Sequence, residues 1–269
     1  MRLSEAGELG LLRELESRGL IVGTEHDAAE LAAGLVVTQD ALVEEVHFRL
    51  DWISWRDLGF RAAAVNISDL SASAARPEAL LVTLAVSGDV PVSDVIELYE
   101  GIAETGVQVV GGDTTRADKI VLSITALGRS DHVPGRAGAC PGDVVVVTGP
   151  LGAAGAAFRE QRYLRPPIRT EEGLRLGVEA TAMLDISDGL GADAARIAER
   201  SACRLAFDLA AVPLGGTIED LSFGEDYELL ATLPSNSLLL GELAVIGRCE
   251  EGSGVSPPEL RGYEHFSSG

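Results

Sequence analysis

Three short runs place carboxylates beside glycine at the edge of apolar segments. They are Val109-Val110-Gly111-Gly112-Asp113-Thr114-Thr115-Arg116, Met183-Leu184-Asp185-Ile186-Ser187-Asp188-Gly189-Leu190 and Phe223-Gly224-Glu225-Asp226-Tyr227-Glu228-Leu229-Leu230. Single aspartates add to them: Asp27 after Gly23-Thr24-Glu25-His26, Asp40 after Thr38-Gln39, and Asp69 within Ala64-Val65-Asn66-Ile67-Ser68-Asp69-Leu70. An ionised carboxylate in a half-buried setting is costly unless a cation meets it. Side-chain cations are scarce, with 21 Lys+Arg against 42 Asp+Glu and Lys119 the only lysine. Metal ions are the natural partners. Magnesium favours carboxylate and phosphate oxygens plus water, so the chemistry implied is a polyphosphate held on an acidic protein by ions that invert the local sign.

Each run also has a plainer explanation. Gly111 and Gly112 after a valine strand permit close backbone approach to a ligand, and Asp113 can hold a hard cation. The same six residues, Gly111 to Arg116, also read as a turn leading into a helix cap. At a strand-to-helix junction Asp185 and Asp188 can converge on one point while Ser187 meets a phosphate at the helix N-terminus. A capping Ser or Asp explains part of that run but leaves a second carboxylate over. Taken singly, Asp27, Asp40 and Asp69 read as caps or solvated residues.

Those side chains need elements to hold them. Periodicity predicts helices over 4–18, 55–75, 91–106, 171–181 and 189–201. It predicts strands over 34–39, 42–48, 79–86, 107–110, 120–127, 143–148, 182–186, 204–209, 227–233 and 243–248. Asp40 reads as a break between two short strands. Gly, Pro, Ser and Arg cluster over 129–143, which puts a domain boundary near 135 and gives halves of 1–135 and 136–269. The alternation of elements is that of a mixed α/β (α+β) protein.

Several classes are excluded. No GxxxxGK[ST] loop is present, and Lys119 follows no glycine-rich loop, so a P-loop kinase does not fit. No GxGxxG argues for a dinucleotide site. A net charge of −21 speaks against nucleic-acid or anionic-membrane surfaces. Cys140, Cys203 and Cys249 make no zinc-like spacing, and a reduced, cytoplasmic setting is the simple expectation. His47 stands alone, as do His26, His132 and His265, and no nucleophile elbow accompanies any of them. The N-terminus lacks a signal-peptide core, and no apolar run is long enough to cross a membrane.

The runs together resemble the thiamine-monophosphate kinase family, within the superfamily of aminoimidazole-ribonucleotide synthetase. The matching segments are Val37 through Phe48, Ala64 through Leu70, Gly111 through Arg116, Asp185 through Leu190, Gly224 through Leu230 and the tail Gly262 through Phe266. The resemblance implies a two-domain fold whose N-terminal sheet pairs across a homodimer, and ATP-dependent phosphorylation of thiamine phosphate by direct in-line transfer. It implies magnesium ligands at Asp27, Thr38, Gln39, Asp40, Asp69, Asp113, Asp185 and Asp188. It implies ATP contacts from Tyr99, Gly112, Asp113, Arg136 and Ser187, and thiamine phosphate contacts from His47, Glu225 and Tyr263. Asp113, Asp188 and Arg136 would carry the chemistry. The chain departs from the family at His26, where a carboxylate is usual, at Gln39, where Thr is usual, and at Phe223, where Gly is usual. A non-catalytic nucleotide or thiamine-phosphate binder, or another ATP-dependent enzyme of the superfamily, is the alternative.

Overall fold

The computed structural model describes residues 3–21 and 26–263. Glu25 and the tail residues 264–266, which carried part of the resemblance, lie outside the described residues. Helix α1 (Leu3–Ser17) is followed by a short strand β1 (Ala29–Glu30), strand β2 (Leu35–Val43), helix α2 (Trp55–Ala72), strand β3 (Arg76–Val86), helix α3 (Val92–Ala103), β4 (Val109–Arg116) and β5 (Val121–Arg129). The second half runs β6 (Val144–Val147), α4 (Ala153–Arg159), α5 (Thr170–Leu176), β7 (Ala182–Asp185), α6 (Leu190–Ser201), β8 (Arg204–Phe207), β9 (Leu229–Leu233), β10 (Ala244–Glu250) and β11 (Gly254–Ser256).

The first sheet has strand order β1-β2-β5-β3-β4 and the second β11-β8-β10-β6-β9-β7. Ladders are antiparallel except β3–β4 and β8–β11, which are parallel. The mixed α/β class is therefore what the chain adopts, with one sheet built from residues before 130 and the other from residues after 143.

Helix α2 is the element shared by both halves. It packs on β2 and β5 on one side and on α5, β7 and β9 on the other. Its alanines make this possible: Ala62, Ala63 and Ala64 are buried, and their small side chains let backbones approach from two directions. Ser54 opens the helix by accepting the Asp57 amide at 3.0 Å. The third contact is with α3, where a Cβ on Gly59 would lie 1.9 Å from the Leu98 carbonyl oxygen and one on Gly101 1.8 Å from that of Arg56.

Two expectations are corrected. Asp40 does not separate two strands, because β2 is continuous through it. Its amide is taken by the Asn66 side chain of α2 at 3.0 Å, so the polar residue is satisfied inside the strand. Gly111 to Arg116 is not a turn into a helix but the body of β4, aligned with β3 from Leu81 to Val86. Gly112 has φ +148°, and a Cβ there would stand 1.8 Å from the Val82 carbonyl oxygen. The close approach it permits is to its own sheet.

The other side of the first sheet is uncovered among the described residues. On β3, Val82 and Leu84 are buried against the helices, while Leu81 and Thr83 between them are exposed. Asp113 is the ladder partner of Thr83, so it shares that open side.

Replacing Gly101 with alanine forces α2 and α3 apart. The expected loss is about 3 kcal/mol of stability, the upper part of the overpacking range, read as a fall in the urea midpoint. A midpoint unchanged from the parent would refute the close contact.

Candidate active site

The site forms where α2 meets the second half. From α2 come Asp69 and, one residue before it, Ser68; from the end of β7 comes Asp185; from the segment before β1 comes Asp27. A carboxylate oxygen from each of Asp27, Asp69 and Asp185 lies within 4.8 Å of the other two. Thr38 donates to Asp69 at 2.6 Å and Ser68 to Asp185 at 2.5 Å. Burial, then repulsion from Asp185, Asp40 and Asp27, pushes the Asp69 carboxyl well above its ordinary range, against the pull of the Thr38 hydroxyl. Burial, then Asp27, does the same to Asp185, against the Ser68 hydroxyl. Two acids strained in this way are the donor set a divalent ion suits.

These residues open into a cavity of about 380 Å³ lined also by Thr38, Asp40, Arg136, Ser187, Asp188 and Arg196. Arg136 pairs with Asp27, and Arg196 with Asp188. Gln39 borders the cavity, but its side chain turns to the open sheet face, where Ser123 and Thr125 bond to it at 3.1 Å.

A second cavity, about 170 Å³, adjoins the first at His47, Ser187, Asp188 and Glu225. Its walls include Phe158, Phe223 and Tyr163, with Phe158 and Phe223 ring centres 5.0 Å apart. At its base Arg61, 2% exposed, pairs with Glu225 and lies 5.0 Å over the Tyr163 ring. The Arg61 Nε is buried with no partner among the described residues. His47 accepts the Val43 amide through Nδ1 at 3.0 Å. Tyr263 reaches this wall because its amide donates to the Asp188 carbonyl at 2.7 Å.

The loops that carry these groups are locked together. Glu225 and Tyr227 donate their amides to Ser187 and Ile186 carbonyls at 2.8 and 2.9 Å. Both have positive φ, 62° and 52°, a strain that non-glycine residues hold only where the surroundings fix them. Asp226, between them, turns the other way and accepts the Gly152 amide at 2.7 Å, at the start of α4.

The structure thus unites Asp27, Thr38, Asp40, Asp69, Arg136, Asp185, Ser187 and Asp188 around one cavity, and His47, Glu225 and Tyr263 around its neighbour. It does not bring Gly112, Asp113 or Tyr99 to either within one chain. Gly112 aligns with Val82, Ile124 and Asp40 across the sheet, which places it three strand spacings, about 14 Å, from Asp40. Tyr99 sits half-buried on α3 against the first core. Sequence reasoning missed Arg61, Phe158, Tyr163, Asp193 and Arg196. Arg196 lay three residues after Asp193 on a recognised helix, the one signal available.

The mixed α/β fold with two sheets is that of AIR synthase-like proteins, and the family described as AIR synthase related protein, N-terminal domain, matches residues 25–130. The similarity extends beyond that segment. Thiamine-monophosphate kinase of Aquifex aeolicus is 33% identical, over 99% of this chain and 100% of that protein. The Pyrococcus abyssi thiamine-monophosphate kinase is 32% identical over 87% of each. The solved structure of AaThiL complexed with AMPPCP and TMP superposes with a TM-score of 0.91, at 33% identity and 99% coverage of both chains. This chain belongs to the thiamine-monophosphate kinase family and is a kinase by that membership. No helix among the described residues is long and apolar enough to cross a membrane.

Burial lifts Asp226 from 3.8 to about 6, against the amides of Gly152 and Ala154. The folded protein therefore holds this proton more tightly than the unfolded chain. Stability from this group is present at low pH and is lost as pH rises from about 4 to about 6. Asp226→Asn keeps an acceptor for the amides and removes the titration. Its melting temperature, followed from pH 4 to 7, should lack that part of the decline, on the order of 2 kcal/mol. A variant curve parallel to the parent's would contradict the assignment.

Proposed function

We propose that this protein transfers the γ-phosphoryl group of ATP to thiamine phosphate, giving thiamine diphosphate and ADP. The observation that carries the reading is the meeting of Asp27, Asp69 and Asp185 within 4.8 Å beside two adjoining cavities. The related AaThiL structure, which holds AMPPCP and TMP, supports the choice of substrates.

The larger cavity takes the triphosphate. Asp27, Asp40, Asp69, Asp185 and Asp188, with Thr38, are the groups that would hold magnesium, which when bound neutralises the phosphates of both substrates. Arg136 and Ser187 contact the nucleotide from the rim. The smaller cavity takes thiamine phosphate: His47 and Tyr263 border it, Glu225 faces its cationic ring system, and the aromatic wall receives the flat rings. An oxygen of the acceptor phosphate attacks the γ-phosphorus in line, and the bond to the β,γ-bridging oxygen breaks as ADP leaves. That acceptor oxygen is already anionic near neutral pH, so the site needs no strong general base. Its residues align two anions and exclude water.

Asp113 and Gly112 fit this reading through a second copy of the chain. The open face of the first sheet, with exposed Leu81 and Asp113 on it, is a surface a homodimer would cover. The partner's copy of the β4 strand then completes the nucleotide site. The two halves, 1–135 and 136–269, act as domains that meet at the cluster. The three cysteines are free thiols, which fits a reducing cytoplasm.

A coupled assay for ADP release with ATP, magnesium and thiamine phosphate tests the reaction. Asp185→Asn should lower turnover at saturating substrates by at least about a hundredfold. Near-parental turnover in that variant, or substrate binding by the parent without ADP formation, would overturn the proposal. Mixing inactive Asp113→Asn and Asp185→Asn proteins after unfolding and refolding tests the shared site. With one intact site in each mixed dimer, about a quarter of parental activity should return; no recovery would place both residues in one chain's site.

A further inference from the structure

Two arginines stand where cations belong. Arg136 pairs with Asp27 and Arg196 with Asp188, both on the wall of the aspartate-lined cavity. Both arginines also line a neighbouring cavity of about 420 Å³, together with Arg13, Arg200, Glu16 and Glu199, the last paired with Arg13. On a chain of charge −21, that concentration of arginine beside the carboxylate cluster is a place for phosphate oxygens.

Arg196 is tethered so that only part of it can move. It sits on α6 with Asp193 one turn before it, and its Nη1 donates to Asp193 at 2.7 Å. Asp193 has no exposed surface, and its other oxygen accepts the Asp188 amide at 2.9 Å. Asp193 therefore fixes the backbone of Asp188 and one edge of the Arg196 guanidinium together. The other edge, Nη2, rests on the Asp188 carboxylate at the cavity wall.

We propose that Arg196 is a stand-in cation. It occupies the Asp188 carboxylate while the site is empty and passes its Nη2 to the nucleotide phosphates when a divalent ion takes that carboxylate. The inference rests on the reading of Asp188 as a metal ligand. It follows that ion and nucleotide bind as a coupled pair. An ion arriving alone has to displace a guanidinium that has no phosphate to go to. Arg136 on Asp27 repeats the arrangement at the same cavity. The exchange keeps the cluster from carrying uncompensated charge in either state.

Manganese as a magnesium substitute, followed by its electron paramagnetic resonance signal in full-length protein, reads ion binding without turnover. In the parent, AMPPCP should tighten manganese binding by at least about tenfold. Arg196→Gln should bind manganese alone at least about tenfold more tightly than the parent, and AMPPCP should add less than about threefold. Arg196→Lys keeps a charge for Asp193 but cannot span two carboxylates, so it should fall between them. A merely structural Arg196 predicts the opposite sign, with weaker manganese binding in Arg196→Gln. That result, or unchanged binding in both folded variants, overturns the inference. Should Arg196→Gln fail to fold, Arg196→Lys decides: binding no tighter than the parent's refutes the exchange. Asp188→Asn separates this from the underlying reading. If it leaves manganese binding with AMPPCP untouched, Asp188 is no ligand and the reading itself fails.

Discussion

The repulsion among Asp27, Asp69 and Asp185 is the constraint on which the rest of the structure turns. Bringing three carboxylates within 4.8 Å in a partly buried place is unfavourable, and the fold tolerates it by surrounding them with donors and rim cations. Thr38 and Ser68 hydroxyls point at two of them. Arg136 caps the third, and Arg196 caps Asp188 beside them. The rigid frame needed to hold like charges together comes from α2 between two sheets. The energy stored in the empty cluster is what an incoming cation recovers, so the same repulsion that burdens folding favours binding.

Recognition of the second substrate has a different physical basis. The smaller cavity is walled by rings and closed by an ion pair, Arg61 with Glu225. Its geometry depends on two non-glycine residues in left-handed backbone, which are held by the hydrogen bonds between the loop at 225–227 and that at 186–188. The loop that shapes the aromatic cavity is thus bonded directly to the loop that carries Asp185 and Asp188. Phe223, a departure from the family's usual glycine, places its ring against Phe158 in that wall.

Much of this was legible in the sequence because charge in an apolar setting is a loud signal. Asp69 read singly as a cap or solvated residue and drew notice only as one of a set of aspartates in apolar settings with Asp185, and both are in the cluster. The β4 strand was legible in its chemistry but not its shape. Gly-Gly-Asp-Thr-Thr reads as a turn locally, and only the ladder with β3 makes it extended. Asp40 misled for a related reason: the Asn66 side chain that satisfies its amide is distant in sequence. The aromatic wall was invisible because Phe158 and Tyr163 come from one stretch, Phe223 from a distant one, and the three share no period. Arg61 and Arg196 looked like ordinary helix arginines, since nothing local told which carboxylate each would meet.

Helix α2 has a consequence for how freely the chain can vary. Most helices in a two-sheet protein answer to one core and offer a solvent side where substitutions pass unnoticed. Here 13 of the 18 residues of α2 are buried, and the helix faces a different set of neighbours on each side. Enlarging one of its alanines would have to be matched in two cores at once, and its polar residues already serve the cavity. The segment from 55 to 72 therefore has almost no neutral side, and tolerance to change should be confined to the loops and the outer faces of α1, α3 and α6.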